Sequence, residues 1–326
     1  MAENKTFPVS SSDDRPKIFR NPDGTYTRLI NFPTIPASPD PGSSTSPVLS
    51  KDLTINPTNQ TWLRIYLPRH LLDQSSSTEF NKLPLIVYYH GGGFVFLNAD
   101  SNVFHDFCIT MAEKVNAIVI SVDYRNAPEH RLPAAYEDAV EALHCVKTSQ
   151  DGWITNFADL SNCFLMGSSA GGNIAYHAGL RVCENIQNLY PLKIKGLILH
   201  HPFFGGSERT MSELKMVNDP VLPPAASDFM WDLSLPVGSN RDHEYCNPMS
   251  ELGFNVRERI IGVGLRVMVT GGREDPLIDR QVEFAKMLEE KGVKCLTHFG
   301  AGYHGVELTE PSKGGSLLLV VKDFIS

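Results

Sequence analysis

Two adjacent serines stand between glycines in Gly167-Ser168-Ser169-Ala170-Gly171. Serine and glycine also make ordinary turns, so the flanks decide what the stretch can do. Residues 162–166 are a short apolar run of strand type, and residues 172–186 read as a helix. Strand, sharp turn and helix are the setting of a nucleophile elbow. Small neighbours let the backbone take a strained turn, which leaves a serine hydroxyl exposed at the start of the helix. In the spacing G-x-S-x-G the candidate nucleophile is Ser169, and Ser168 is a bystander.

A nucleophilic serine needs a place for negative charge and a base. His90-Gly91-Gly92-Gly93 directly follows an apolar strand. A loop without side chains can bring several backbone N–H groups onto one point, as an oxyanion hole requires. Gly91 and Gly92 are the expected donors. The N–H of Ala170 is the third, at a helix start where the dipole also favours negative charge. His90 precedes the loop at the strand end and reads as structural. For the acid, the segment after an apolar strand ending at Thr270 offers Glu274, Asp275 and Asp279. Asp275 lies in the loop just beyond that strand, on the edge where α/β sheets collect catalytic groups, and Pro276 stiffens it. Asp279 falls about a turn later and reads as helix-start electrostatics. Of eleven histidines, His304 alone lies in a Gly-flanked loop between the last strand and the last helix; His298 falls within that strand. The chain order Ser169, Asp275, His304 is that of the α/β-hydrolases, not of chymotrypsin or subtilisin.

The elements needed to position these groups are present. Apolar strand-like runs (62–67, 83–89, 117–122, 194–200, 265–270, 293–299) alternate with helix-like ones (101–115, 133–148, 278–291, 312–325), the signature of a parallel sheet covered by helices. Regular structure is expected from about residue 51. The first 50 residues are rich in Pro, Ser and Asp and read as an arm over the surface. Residues 203–255 break the strand-helix rhythm with a long, partly helical insertion, and long insertions in compact domains are usually functional lids. We expect one domain over 1–326, with a cap made of residues 1–45 and 203–255. Phe229 and Trp231 are the cap aromatics expected to face a substrate.

With 326 residues and 42% hydrophobic composition the chain can bury a large core. A net charge of −8 without a Lys/Arg-rich run argues against nucleic acid as the partner. The opening MAENKTFPVSSSDDRPK lacks the basic start and apolar core of a secretory signal, and no run reaches membrane-spanning length. Six cysteines without C-x-x-C spacing read as reduced thiols, not as disulfides or zinc ligands. These features predict a cytoplasmic protein with no metal and no membrane partner.

Taken together, HGGG at 90–93, DYRNAPEHRLPAAYED at 123–138, GSSAGG at 167–172, DPLID at 275–279 and YHGVEL at 303–308 resemble the plant carboxylesterases of the hormone-sensitive-lipase-like group. The likeness runs from about residue 15 to the end. It implies an eight-stranded α/β-hydrolase sheet, a cap from the arm and the insertion, and a serine esterase acting on a small-molecule ester without a cofactor. The sequence departs from the family pattern twice. Ser168 stands where Asp or Glu usually precedes the nucleophile, and Asn126 where Leu usually precedes APEH. These departures point toward a specialised metabolite as substrate. Two alternatives stay open. One is lyase or dehydratase work, or methyl-ester hydrolysis followed by decarboxylation. The other is a small-molecule receptor like the gibberellin receptors, against which His304 speaks because those receptors lack the catalytic histidine.

Overall fold

Strands buried on both faces must be apolar throughout. Leu83–Tyr89 is such a strand, as is Ile194–His200 from Gly196 to Leu199, and both lie inside the sheet of the computed structural model. Residues 18–23, 25–29, 32–42, 44–73, 81–250 and 260–326 are described. Numbered in chain order, the strands are β1 (Ile18–Arg20), β2 (Tyr26–Arg28), β3 (Val48–Asn56), β4 (Thr61–Pro68), β5 (Leu83–Tyr89), β6 (Ile118–Asp123), β7 (Ala158–Ser168), β8 (Ile194–His200), β9 (Arg266–Gly272) and β10 (Cys295–Gly300). Eight of them form one sheet in the order β10-β9-β8-β7-β5-β6-β4-β3. From β10 to β6 all neighbours are parallel; β4 runs antiparallel to both β6 and β3.

Successive side chains of a strand point to opposite faces, which divides the core in two. Leu85, Val87, Leu165, Leu197 and Val267 meet the helices Ala134–Thr148, Ala170–Cys183 and Ile278–Glu290. Ile86, Tyr88, Phe164, Met166, Ile198 and Met268 meet the helices Asn102–Met111 and Pro311–Ile325 on the other face. Because the central strands are parallel, their carboxyl ends and the loops that follow share one edge of the sheet, where ligands of open α/β sheets bind.

Two parts differ from the sequence reading. Regular structure begins before residue 51: β3 pairs with β4 at the sheet edge, its charged Lys51 and Asp52 masking the alternation of an edge strand. Within the arm, β1 and β2 pair as a small antiparallel ribbon. That ribbon is anchored to the glycine loop. Ile18 packs with Val95 and Ala127, and Tyr26, Phe96, Phe229 and Leu233 close around them. Arg28 donates to the carbonyls of Val95 (2.7 Å) and Ala127 (2.8 Å) and pairs with Glu129. The insertion contributes the helices Met211–Lys215 and Pro224–Ser234. Residues 1–17, 24, 30, 31, 43 and 251–255 of the expected cap lie outside the described residues.

Candidate active site

At the junction of β7 and its helix, Ser169 has φ 55° and ψ −119°, a conformation a non-glycine residue adopts only when its surroundings impose it. Here they do. Its N–H donates to the carbonyl of His200 (2.9 Å), and its carbonyl accepts from the N–H groups of Phe203 (2.9 Å) and Asn173 (3.1 Å). Gly171 permits the turn to close on β5, because a Cβ there would lie 1.8 Å from the carbonyl oxygen of Tyr89. Ser168 points away: its Oγ accepts from the Tyr88 hydroxyl (3.1 Å), inside the opposite half of the core.

The loops after β9 and β10 bring Asp275 and His304 to this turn. His304 Nε2 lies 2.8 Å from Ser169 Oγ, and His304 Nδ1 lies 3.0 Å from Asp275 Oδ2. An ionised carboxylate only accepts, so Nδ1 carries the proton and Nε2 is left to accept from the serine hydroxyl. Asp275 is fully buried, and it also accepts from the N–H of Leu277 (2.9 Å) and the amide of Gln281 (2.9 Å). Burial pushes its pKa up, but the imidazole of His304 wins and holds it below the usual carboxylate range. For His304 burial acts downward, and the charge and hydrogen bond of Asp275 overcome it, so its pKa is raised. Gln281, which orients the carboxylate, carries no sequence signal beyond lying in the first turns of the helix that follows Asp275. Asp279 is elsewhere: its Oδ2 accepts from the N–H of Ser212 (2.7 Å).

Gly91 lies against the elbow; a Cβ on it would sit 3.3 Å from that of Ser169. Gly92 has φ 112°, and its carbonyl accepts from Val95 (3.1 Å) and Phe96 (2.9 Å), so the loop curls into a tight turn just after Gly91. Ala170 begins the helix Ala170–Cys183. Gly91 and the start of the Ala170 helix thus both border Ser169, with Gly92 next in the same loop. His90 supports the loop. It is buried, stacked on Tyr124 (4.3 Å, 13°), and its Nδ1–H donates to the carbonyl of Gly91 (2.8 Å). Burial lowers its pKa to about 4, so it stays neutral. Asn126, the second departure from the family pattern, donates to the carbonyl of Leu97 (3.1 Å) and ties down the exit of the same loop.

Trp231 is not at a surface a substrate can reach. It is 1% exposed, stacked on Phe203 (4.8 Å, 3°) and packed against Phe94 (5.4 Å). The expectation that it faces a substrate is corrected: on the helix Pro224–Ser234 its side chain turns into the core. Phe229, on the same helix, is half-buried against the arm and the glycine loop. Ligand-type atoms also gather in His200, His201 and Glu307, within 4.8 Å of one another. The two rings pack against each other (3.8 Å, 35°), and each turns its Nε2 toward one oxygen of the same carboxylate, 3.2 Å away.

A mostly parallel sheet with a serine, a histidine and a carboxylate in one hydrogen-bonded row at its carboxyl edge defines a class, and the chain belongs to it: residues 86–307 match the model of the alpha/beta hydrolase fold family. Within that family it is a carboxylic ester hydrolase of the plant carboxylesterase kind. It is 53% identical to Carboxylesterase 20 of Arabidopsis thaliana, over 94% of each chain. It is 48% identical to the 3-O-acetylpapaveroxine carboxylesterase CXE2 of Papaver somniferum, over 92% of this chain and 95% of that one. Among solved structures, a Pyrobaculum calidifontis esterase superposes with a TM-score of 0.69 at 26% identity, covering 85% of this chain and 84% of that one.

Proposed function

We propose that Ser169, His304 and Asp275 hydrolyse the ester of a plant specialised metabolite through an acyl-enzyme. The observation that carries this reading is the unbroken row Ser169–His304–Asp275, with links of 2.8 and 3.0 Å. His304 Nε2 takes the hydroxyl proton as Ser169 Oγ attacks the carbonyl carbon. Asp275 stabilises the imidazolium and holds its tautomer. The N–H groups of Gly91, Gly92 and Ala170 receive the oxyanion. His304 then returns the proton to the departing alcohol, and in the second half-reaction it activates the water that releases the acid.

The arm and the insertion form the cap, a reading supported by their contacts with each other and with the glycine loop. The Papaver relative is named for an acetylated metabolite, which supports an ester of a specialised metabolite as the substrate class here. No helix among the described residues is long and apolar enough to cross a membrane. The described cysteines are all free thiols, which supports residence in the cytoplasm.

The test is incubation with a panel of plant metabolite esters and identification of products by mass. Hydrolysis yields the acid and the alcohol, with one water added. A further loss of carbon dioxide would mean that a methyl ester is cleaved and its acid decarboxylates. Binding without turnover would overturn the esterase reading in favour of a receptor. The cap assignment has its own test. Phe229→Ala should change the kcat/KM ratio between bulky and small esters several-fold with little change in Tm. Trp231→Ala should instead cost about 3–5 kcal/mol of stability, as loss of a core aromatic does, with the ester preference unchanged.

A further inference from the structure

Beside His304 lies a second buried carboxylate that the scheme above does not use. Glu307 Oε2 is 3.2 Å from Nε2 of His200, and its Oε1 is 3.2 Å from Nε2 of His201. The Glu307 side chain is 1% exposed, and neither oxygen has a well-formed hydrogen bond among the described residues. The rings continue as a column. His201 packs on His200 (3.8 Å) and also on His304 (4.4 Å, 33°). His200 is fixed in turn by Thr270, with Nδ1 and Oγ1 2.7 Å apart. The backbone of His201 is held at φ 29°, a conformation non-glycine residues avoid, with its N–H on the carbonyl of Thr270 (2.6 Å).

A carboxylate taken out of water is costly unless its partners compensate. Here the partners are imidazoles that lead to His304. We infer that Glu307 is a positioning residue that holds His201 against His304 and places a second negative charge where the imidazolium forms as Ser169 loses its proton. This rests on the reading of His304 as the base. The chain makes the placement local: Gly305, at φ 79°, turns the backbone after His304 so that the helix Val306–Thr309 delivers Glu307.

The charges agree with the geometry. Burial opposes ionisation of Glu307, yet His201 and His200 hold its pKa well below the usual carboxylate range. Burial lowers the pKa of His201 to about 4, so the ring between Glu307 and His304 is neutral. After burial and Asp275, Glu307 is the next influence on His304, and it acts upward. The other groups facing this cluster are the hydroxyl of Tyr88, which senses the Glu307 charge, and Asp219, which acts on His304 from the insertion.

Glu307→Gln removes the charge and keeps the shape. Titration of the His304 imidazole by NMR should then move down by about one pH unit, since loss of a neighbouring anion disfavours the protonated ring. The acid limb of the kcat/KM profile should follow it, and kcat should fall about tenfold with little change in KM. Ser168 and His200 are register partners whose side chains share a face, so adding Ser168→Asp to Glu307→Gln returns a carboxylate to the row and should recover part of both effects. Glu307→Asp, which retains the charge, serves if the Gln variant does not fold, and should show a smaller shift of the same sign. A folded Gln variant with unchanged His304 titration and kcat would overturn the inference, as would a stoichiometric metal lost on that substitution. The NMR titration does not depend on Ser169 being the nucleophile. Failure of the esterase reading would therefore leave it standing, and the two failures are distinguishable.

Discussion

Replacing His304 by alanine should lower kcat on a small ester by roughly 10³-fold or more, because it removes the base of both half-reactions. Among the described residues the imidazole is the only hydrogen-bond partner of the Ser169 hydroxyl, and it alone links that hydroxyl to Asp275. Binding should survive, since the glycine loop and the cap are untouched, so the loss should fall on kcat with KM little changed. Some stability will also go. Asp275 keeps the N–H of Leu277 and the amide of Gln281 but loses the imidazole Nδ1–H in a fully buried site. Steady-state kinetics with a chromogenic acetate read the first effect, and a thermal melt the second. Near-native turnover would make another histidine the base.

A larger loss, roughly 10⁵-fold in kcat, is expected of Ser169→Ala, since no acyl-enzyme can then form. Its neighbour supplies the contrast. Ser168 Oγ faces the Tyr88 hydroxyl in the far half of the core. Ser168→Ala should therefore stay within about tenfold of the parent in kcat while losing about 1–2 kcal/mol of stability, the cost of a buried hydroxyl left without its acceptor. Comparing kcat and Tm for the pair separates nucleophile from support. An inert Ser168→Ala protein beside an active Ser169→Ala protein would reverse the assignment.

Why was one row legible in the sequence and the next one not? Ser169, Asp275 and His304 each follow a strand of a parallel sheet, so the topology that the apolar runs announce also delivers them to one edge. The glycines of residues 91–93 speak for themselves, because their type serves backbone approach and little else. Glu307 and Gln281 act from the first turns of helices, where a carboxylate or amide is ordinary. His200 and His201 close an apolar strand, and no spacing distinguishes them from core residues. Trp231 failed for a related reason. An amphipathic helix in an insertion has one face toward the core and one toward the cap, and periodicity cannot say which is which until its neighbours are known. The strand β3 was hidden by its position, since an edge strand carries charges that an inner strand excludes.

The central claim is that Ser169 is an activated nucleophile, and its most direct measurement is covalent labelling. A small organophosphate reacts with a serine hydroxyl beside a base and an oxyanion hole, and not with a serine in a turn. Peptide mass analysis should find a single adduct on Ser169, with activity lost in proportion, retained labelling in Ser168→Ala and none in Ser169→Ala. An adduct on Ser168, or full activity in a preparation that takes no label, would contradict the account.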